Sequence, residues 1–267
     1  MSIFDTIWVL RKDVASHRND RVIGTWLVES SSAVDQLQPG AGTAFSNYGF
    51  ALVACGDKVG CCYTEAKLSV PGDWVGVHPN EVSSPSTEWQ VALADALLPL
   101  ATRTPASGLR ITGTPFFKRD VRAALLADIV RECMPGSHIR AQGTVLNVGA
   151  AGAVLLELVR RGFSVKATDL DPRIIGRRLG DLVVQDGTTG VDLSGVSVVL
   201  ISASSLCNGT LDVFLPIACE AGAAVILYGQ TGHSLVEVLD FGVTAMVSER
   251  FPPYVFPGES YIEVYRR

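Results

Sequence analysis

The sequence predicts an α/β protein: a mostly parallel, doubly wound, Rossmann-like domain over residues 106–267, preceded by a smaller α+β domain over residues 1–105. Three observations predict it. From Thr144 onward, short runs rich in Val and Ile (TVLNV, SVKAT, VSVVLIS, AAVIL, TAMVS) alternate with helical stretches, the pattern of parallel strands buried on both faces. Earlier, GFALVAC and VGCCYTEA flank Gly56-Asp57-Lys58 as the arms of a β-hairpin. Between these regions, residues 102–114 are rich in Thr, Pro, Ser and Gly and mark a connector.

Taken in order, residues 2–18 place Ile3, Ile7, Leu10 and Val14 at helical spacing, with Ser2 or Asp5 near the start as a cap. RVIGTWLV and the hairpin arms then make a small antiparallel sheet. TEWQVALADALLPLAT reads as a second helix with Thr87 as its N-cap, and PFFKRDVRAALLADIVRECM as a third that ends at Pro135-Gly136. In the C-terminal part, helices are expected over Ala153–Arg161, over Thr210–Glu220 and after His233, with a further short strand at LVV.

Composition excludes several classes. Of 267 residues, 48% are hydrophobic and 18% charged, too apolar for a disordered chain. The net charge of -5, with no run of Lys or Arg, argues against nucleic acid or an acidic membrane surface as partner. No stretch is apolar for the ~18 residues that a membrane span requires. Asp5 interrupts the N-terminus before a signal peptide could form, and six cysteines are sparse, so a cytoplasmic protein with reduced thiols is expected. The edge of a small sheet wants covering, which makes a homodimer the expected assembly.

In an open parallel sheet, ligands bind beyond the carboxyl ends of the strands, so the loops there carry the candidate site. Gly149, Ala150 and Gly152 lie between a strand and a helix, where small residues admit a ligand to backbone amides; they also permit a tight turn. Asp169 ends the next strand, where a dinucleotide fold places an acid on a ribose hydroxyl, and Asp171 follows in an ordinary Asp-Pro turn. The glycine fingerprint is incomplete, with Ala151 and Val154 in place of its later glycines. Ser202, Ser204, Asn208, Gly209 and Thr210 offer hydroxyls and an amide, or simply cap the following helix. Gly229, Thr231 and His233 stand at another helix start, His233 as acid–base group, metal ligand or structural residue. Cys55, Cys61 and Cys62 share one hairpin without a recognised zinc spacing, so buried thiols are the simpler reading of them. Neither the P-loop, G-x-S-x-G nor H-E-x-x-H occurs.

At these loops, ISASSLCNGTLDVFL followed by VILYGQTGHSLVEVLDFGVTAMVS resembles the family called putative heavy-metal chelation, through Asn208-Gly209-Thr210 and Phe241-Gly242-Val243. Gln230 and His233 depart from its middle loop, and Asp171 stands where it has Asn. GFALVAC, VGCCYTEA and SSPSTEWQVALADAL are more loosely similar to the enolase-N-terminal-like domain that accompanies the family. The resemblance implies a cleft between the two domains and a small polar ligand there, a transition metal or its chelate, with Asp169 and His233 as candidate metal ligands. The alternative reading of the same loops is an enzyme, such as a transferase, using S-adenosylmethionine or a nucleotide at Gly149 and Asp169. The identity of the cofactor stays open between these.

Overall fold

The computed structural model describes residues 2–16, 21–35, 43–65, 67–83, 86–97, 103–134, 143–188 and 190–267. Helix α1 (Ile3–Ser16) opens with a reciprocal cap, in which the Ser2 hydroxyl accepts the Asp5 amide and Asp5 accepts the Ser2 amide. Its buried stripe is not the expected one. Phe4, Ile7, Arg11 and Ala15 point inward while Leu10 faces solvent, so the helix is turned to place an arginine, not a leucine, against the core. The side chain of Val14, and residues 17–18 of the expected helix, lie outside the described residues.

Strands β1 (Val22–Asp35), β2 (Thr43–Cys55) and β3 (Lys58–Thr64) form a three-stranded antiparallel sheet in that order. The β2–β3 hairpin turns at Gly56-Asp57, with Cys55 opposite Lys58, as its sequence predicts. Helix α2 (Thr87–Ala96) starts one residue earlier than expected, Ser86 and not Thr87 being its N-cap, and ends at Ala96; residues 98–102 lie outside the described residues. It lies so close to β3 that a Cβ on Gly60 would sit 2.0 Å from the Ala92 carbonyl oxygen.

The larger sheet has nine strands in the order β4-β12-β11-β10-β9-β5-β6-β8-β7. Its parallel strands are β5 (Thr144–Val148), β6 (Ser164–Asp169), β8 (Leu182–Asp186), β9 (Val196–Ser202), β10 (Ala224–Gly229) and β11 (Ala245–Glu249). The chain runs outward from β5 through β6 to β8 and then returns to β9 on the other side of β5. The order therefore reverses between β5 and β9, and the crevice at such a reversal is where doubly wound sheets hold ligands.

Three elements of this sheet went unforeseen. The connector contains β4 (Ser107–Ile111), which pairs antiparallel with β12 (Ser260–Arg266), itself antiparallel to β11. The short β7 (Arg178–Leu179) folds back on β8. The helix expected after His233 is a 3₁₀ segment, Val236–Phe241.

Helices cover both faces, as alternating burial along the strands requires. One face, through Leu146, Val199, Ile201, Val225 and Leu227, packs on α6 (Thr210–Glu220), the 3₁₀ segment, α1 and α2, and is continuous with Ala51, Val53 and Cys62 of the small sheet. The other, through Val145, Val198, Leu200, Ile226 and Val247, packs on α3 (Pro115–Cys133) and α4 (Gly152–Arg160). Thr114 caps α3 by accepting the Phe117 amide, and Lys118, fully buried, donates to the carbonyls of Phe256 and Gly258 and to the Ser260 hydroxyl. Among the described residues no helix is long and apolar enough to cross a membrane.

The two sheets are joined by the fully buried Arg11. Its guanidinium meets both carboxylate oxygens of Glu237 at 3.0 and 2.7 Å, and donates to the Ala94, Leu97 and Ser234 carbonyls and to the Ser234 hydroxyl. Two charges removed from water hold only while every donor and acceptor is met. Arg11→Met should cost about 3–5 kcal/mol in urea unfolding because it strands Glu237 and three carbonyls. The Arg11→Met, Glu237→Met double variant should lose less than the sum of its single variants in a double-mutant cycle.

Candidate functional site

The loops at the carboxyl edge of the large sheet are built from residues that satisfy one another. After β5, Gly149 takes a left-handed backbone (φ 83°) and lies against β9, where an added Cβ would come 2.9 Å from Cβ of Ser202. Here glycine serves the approach of two loops across the crevice. The next two amides are capped from the side: Asp169 accepts the Ala150 N–H at 2.8 Å and Asn147 accepts the Ala151 N–H at 3.3 Å. The other oxygen of Asp169 accepts the Asp171 amide at 2.9 Å. Asp169 thus fastens the β5 loop to the β6 loop.

After β9, the hydroxyls of Ser202 and Ser204 lie 3.1 Å apart and are both half-buried. The next residues divide their work. Gly209 is left-handed between the single turn α5 (Ser205–Asn208) and α6, while the Asn208 side chain accepts from both the amide and the hydroxyl of Thr210. Gly209 is the N-cap position of α6, and the Asn208–Thr210 bond closes the turn that leads into the helix. Below them, Asn147 is fully buried and donates to the Leu200 carbonyl and the Tyr228 hydroxyl, and Tyr228 in turn donates to the Gly149 carbonyl.

The loop after β10 is pinned to the N-terminal part of the chain. Gly229 is left-handed (φ 137°) against Ala203. Thr231 accepts the Tyr63 amide, and the Gly232 amide donates to the Cys61 carbonyl. His233 has a partner that its sequence neighbourhood does not disclose: its Nδ1 is 2.7 Å from Oδ2 of the buried Asp95 on α2. Asp95 also accepts the amides of Cys61 and Ser234 at 2.8 and 2.7 Å. Burial alone pushes the Asp95 carboxyl up. The Coulombic effect of His233, with the hydrogen bonds from His233, Ser234 and Cys61, outweighs it and holds the carboxyl below its ordinary value. A carboxylate fixed to one imidazole nitrogen orients the ring and leaves Nε2 as the chemically available atom.

A second link crosses at the surface. The Tyr63 hydroxyl donates to Glu65, Glu65 pairs with Arg173 at 3.0 Å, and Arg173 chelates Asp171. Asp171 lies below the ordinary carboxyl value, chiefly through the hydrogen bond from Arg173. The contacts therefore run from Thr231 through Tyr63, Glu65, Arg173, Asp171 and Asp169 to Ala150, and the edge of the small sheet passes over the strand ends of the large one.

The sequence-predicted residues thus gather on one edge in three groups: Gly149, Ala150 and Gly152 with Asp169 and Asp171; Ser202 and Ser204 with Asn208, Gly209 and Thr210; and Gly229, Thr231 and His233. Asp169 and His233 are held by different partners, and among the described residues no three His, Cys, Asp or Glu side chains stand together as ligands for an ion. Sequence reasoning passed over Asp95, Tyr63 and Glu65. For Asp95 a signal existed, a single acid inside the apolar run VALADALL. The hairpin cysteines Cys55, Cys61 and Cys62 are all buried, the simpler reading of them; Cys61 and Cys62 enter different cores, and Cys62 meets Cys207.

Residues 135–250 match the model of the DUF364 family, described as "Putative heavy-metal chelation". Among solved structures, a protein with unknown function of the same family from Pyrococcus horikoshii is similar over 98% of this chain and 100% of its own, at 15% identity and a TM-score of 0.47. Sphingosine-1-phosphate lyase of Burkholderia pseudomallei is similar over 60% of this chain and 38% of its own (19% identity, TM-score 0.36). Histidinol-phosphate aminotransferase of Clostridium acetobutylicum is similar over 57% and 51% (10% identity, TM-score 0.34). No curated protein matches the chain.

The Asp95 linkage has a definite sign. A carboxyl lowered in the folded state stabilises fully above its unfolded value, about pH 3.9, and this is lost as pH falls through the lower folded value. Asp95→Asn should cost about 1–3 kcal/mol near neutral pH, through buried donors left unmet. The gap from wild type should narrow below about pH 4 in urea titrations.

Proposed function

We propose that this chain, whose residues 135–250 match the family model described as "Putative heavy-metal chelation", binds a small polar ligand in the crevice at the carboxyl ends of β5, β6, β9 and β10, under the edge of the small sheet. One observation carries the proposal: at the reversal of strand order, the polar loops of the large sheet are bridged to the small sheet by the Thr231–Tyr63 and Glu65–Arg173 contacts. A rigid rim made from two sheets, with hydroxyls along it, is how a preformed small-molecule site is built.

The roles follow from what each group leaves free. Among the described residues the Ser202 and Ser204 hydroxyls bond to one another, and each has further capacity to accept from or donate to a ligand. Asp169 and Asn147 hold the β5 loop in place. His233, oriented by Asp95, presents Nε2 as the group that exchanges a proton or meets a polar atom of the ligand. Asn208 and Thr210 shape the rim through their mutual hydrogen bonds. With no set of three ion-ligating side chains gathered among the described residues, the proposal gives any metal to the ligand, bound as its chelate.

A second reading has its own support. Asp169 ends β6 beside the loop after β5, the position from which an acid reaches a ribose in a dinucleotide or S-adenosylmethionine site. Both of its oxygens already accept backbone amides, so this reading asks Asp169 to accept a further hydrogen bond.

Native mass spectrometry of the purified chain with elemental analysis should find a small polar molecule, with or without a metal, held by wild type. Occupancy should fall at least tenfold in a Ser202→Ala, Ser204→Ala double variant of unchanged melting temperature. Unchanged occupancy would remove the site from this crevice. Heat on calorimetric titration with S-adenosylmethionine or NAD, abolished by Asp169→Ala, would establish the second reading instead.

A further inference from the structure

The buried thiol of Cys62 and the half-buried thiol of Cys207 have a relation that the ligand site does not use. Their sulfurs are 3.1 Å apart, although the residues are separated by 145 positions, Cys62 on β3 and Cys207 in α5. A disulfide bond is about 2.05 Å long, so closing this pair takes a movement of roughly 1 Å. Of the remaining thiols, Cys61, the neighbour of Cys62, enters a different core, and Cys219 is exposed on the far end of α6.

We propose that Cys62 and Cys207 are a redox-responsive dithiol, which exchange with a small-molecule disulfide of the glutathione type converts into a bond between the two sheets. The half-buried Cys207 reacts first. Its thiolate attacks one sulfur of the small disulfide, forming a Cys207 mixed disulfide and releasing one small thiolate. The Cys62 thiol then gives up its proton, which the departing second small thiolate takes, and its sulfur attacks Cys207 Sγ. The Cys62–Cys207 bond forms, the mixed disulfide breaks, and the second small thiol leaves. Overall the two cysteine sulfurs are oxidised by two electrons, and the small disulfide is reduced to two thiols.

The order of attack follows from the surroundings. Burial, the hydrogen bond with Cys207 and the nearby Cys207, Cys61 and Glu88 all push the Cys62 thiol up, so it is a poor first nucleophile. It acts only on a sulfur already placed beside it. The bond would tie β3 to α5, the turn that follows Ser202 and Ser204, and so immobilise one wall of the crevice.

Full-length protein incubated with oxidised glutathione should lose the Cys62 and Cys207 thiols together. Non-reducing peptide mapping should give one cross-linked peptide containing both, lighter by two hydrogens than its reduced parts, and the melting temperature should rise and return on adding reductant. The cross-link should persist in Cys61→Ser. Cys207→Ser, at the half-buried position, should match wild type in melting temperature under reducing conditions and show no rise with oxidant. The exposed Cys219 reports that the reagent is active. Modification of Cys219 without a Cys62–Cys207 peptide, a mixed disulfide that persists at Cys207, or a cross-link to Cys61 would each overturn the proposal.

Discussion

The last turn of α2 is the constraint on which the two sheets depend. Its carbonyls at Ala94 and Leu97 accept the Arg11 guanidinium, a cation at the negative end of a helix. From the same turn, the Asp95 carboxylate takes the amides of Cys61 and Ser234 and the ring of His233. The Asp95 carbonyl accepts the Ser234 hydroxyl, and Arg11 bonds that hydroxyl too. A buried cation and a buried anion therefore share Ser234 and are satisfied by backbone from α2, β3 and the loop after β10. Neither is exchangeable alone, because each would leave the other's partners without hydrogen bonds in a water-poor interior.

This fixes what the crevice can be. The loop carrying Thr231 and His233 is clamped from below by Asp95 and from the side by Tyr63. The loops carrying Gly149 and Asp169 are clamped to each other. Such a rim is preorganised, so a ligand bound as proposed would pay little to order it. The Ser202–Ser204 pair and the Glu65–Arg173 contact are the less committed parts. Arg173 and Glu65 are both more than half exposed, so their ion pair contributes little to stability and opens readily in salt.

The sequence discloses this architecture unevenly, for physical reasons. The parallel strands were legible because burial on both faces leaves unbroken Val and Ile runs, and the β2–β3 hairpin because Gly56 marks its turn. The edge strand β4 was not: an edge needs no apolar run, and SGLRI sits among residues that read equally as connector. On α1, Arg11 occupied a core position and displaced the expected Leu10, since helical periodicity cannot tell a buried arginine from a solvated one without its partner. That partner, Glu237, is 226 positions away, and the Asp95–His233 pair spans 138. The candidate residues come from the rule that ligands lie at strand ends, which locates loops but not the bonds among them. Asn208 and Thr210 proved to bond each other.

Along β3 the consequence is concentrated in consecutive residues. Cys61 bonds Asp95 and Gly232 through its backbone, Cys62 meets Cys207 through its side chain, and the Tyr63 amide bonds Thr231 while its hydroxyl reaches Glu65. Side chains alternate along a strand, so these three residues cannot all address one face. Backbone and side chain therefore divide the work: the backbone of Cys61 and Tyr63 pairs with the loop after β10, and the Cys62 side chain reaches the turn after β9. Gly60, just before them, admits α2 so closely that Asp95 arrives at the Cys61 amide. One strand of the small sheet thus sets the spacing of two loops of the large one, and a shift of β3 is felt at Ser204 and His233 together.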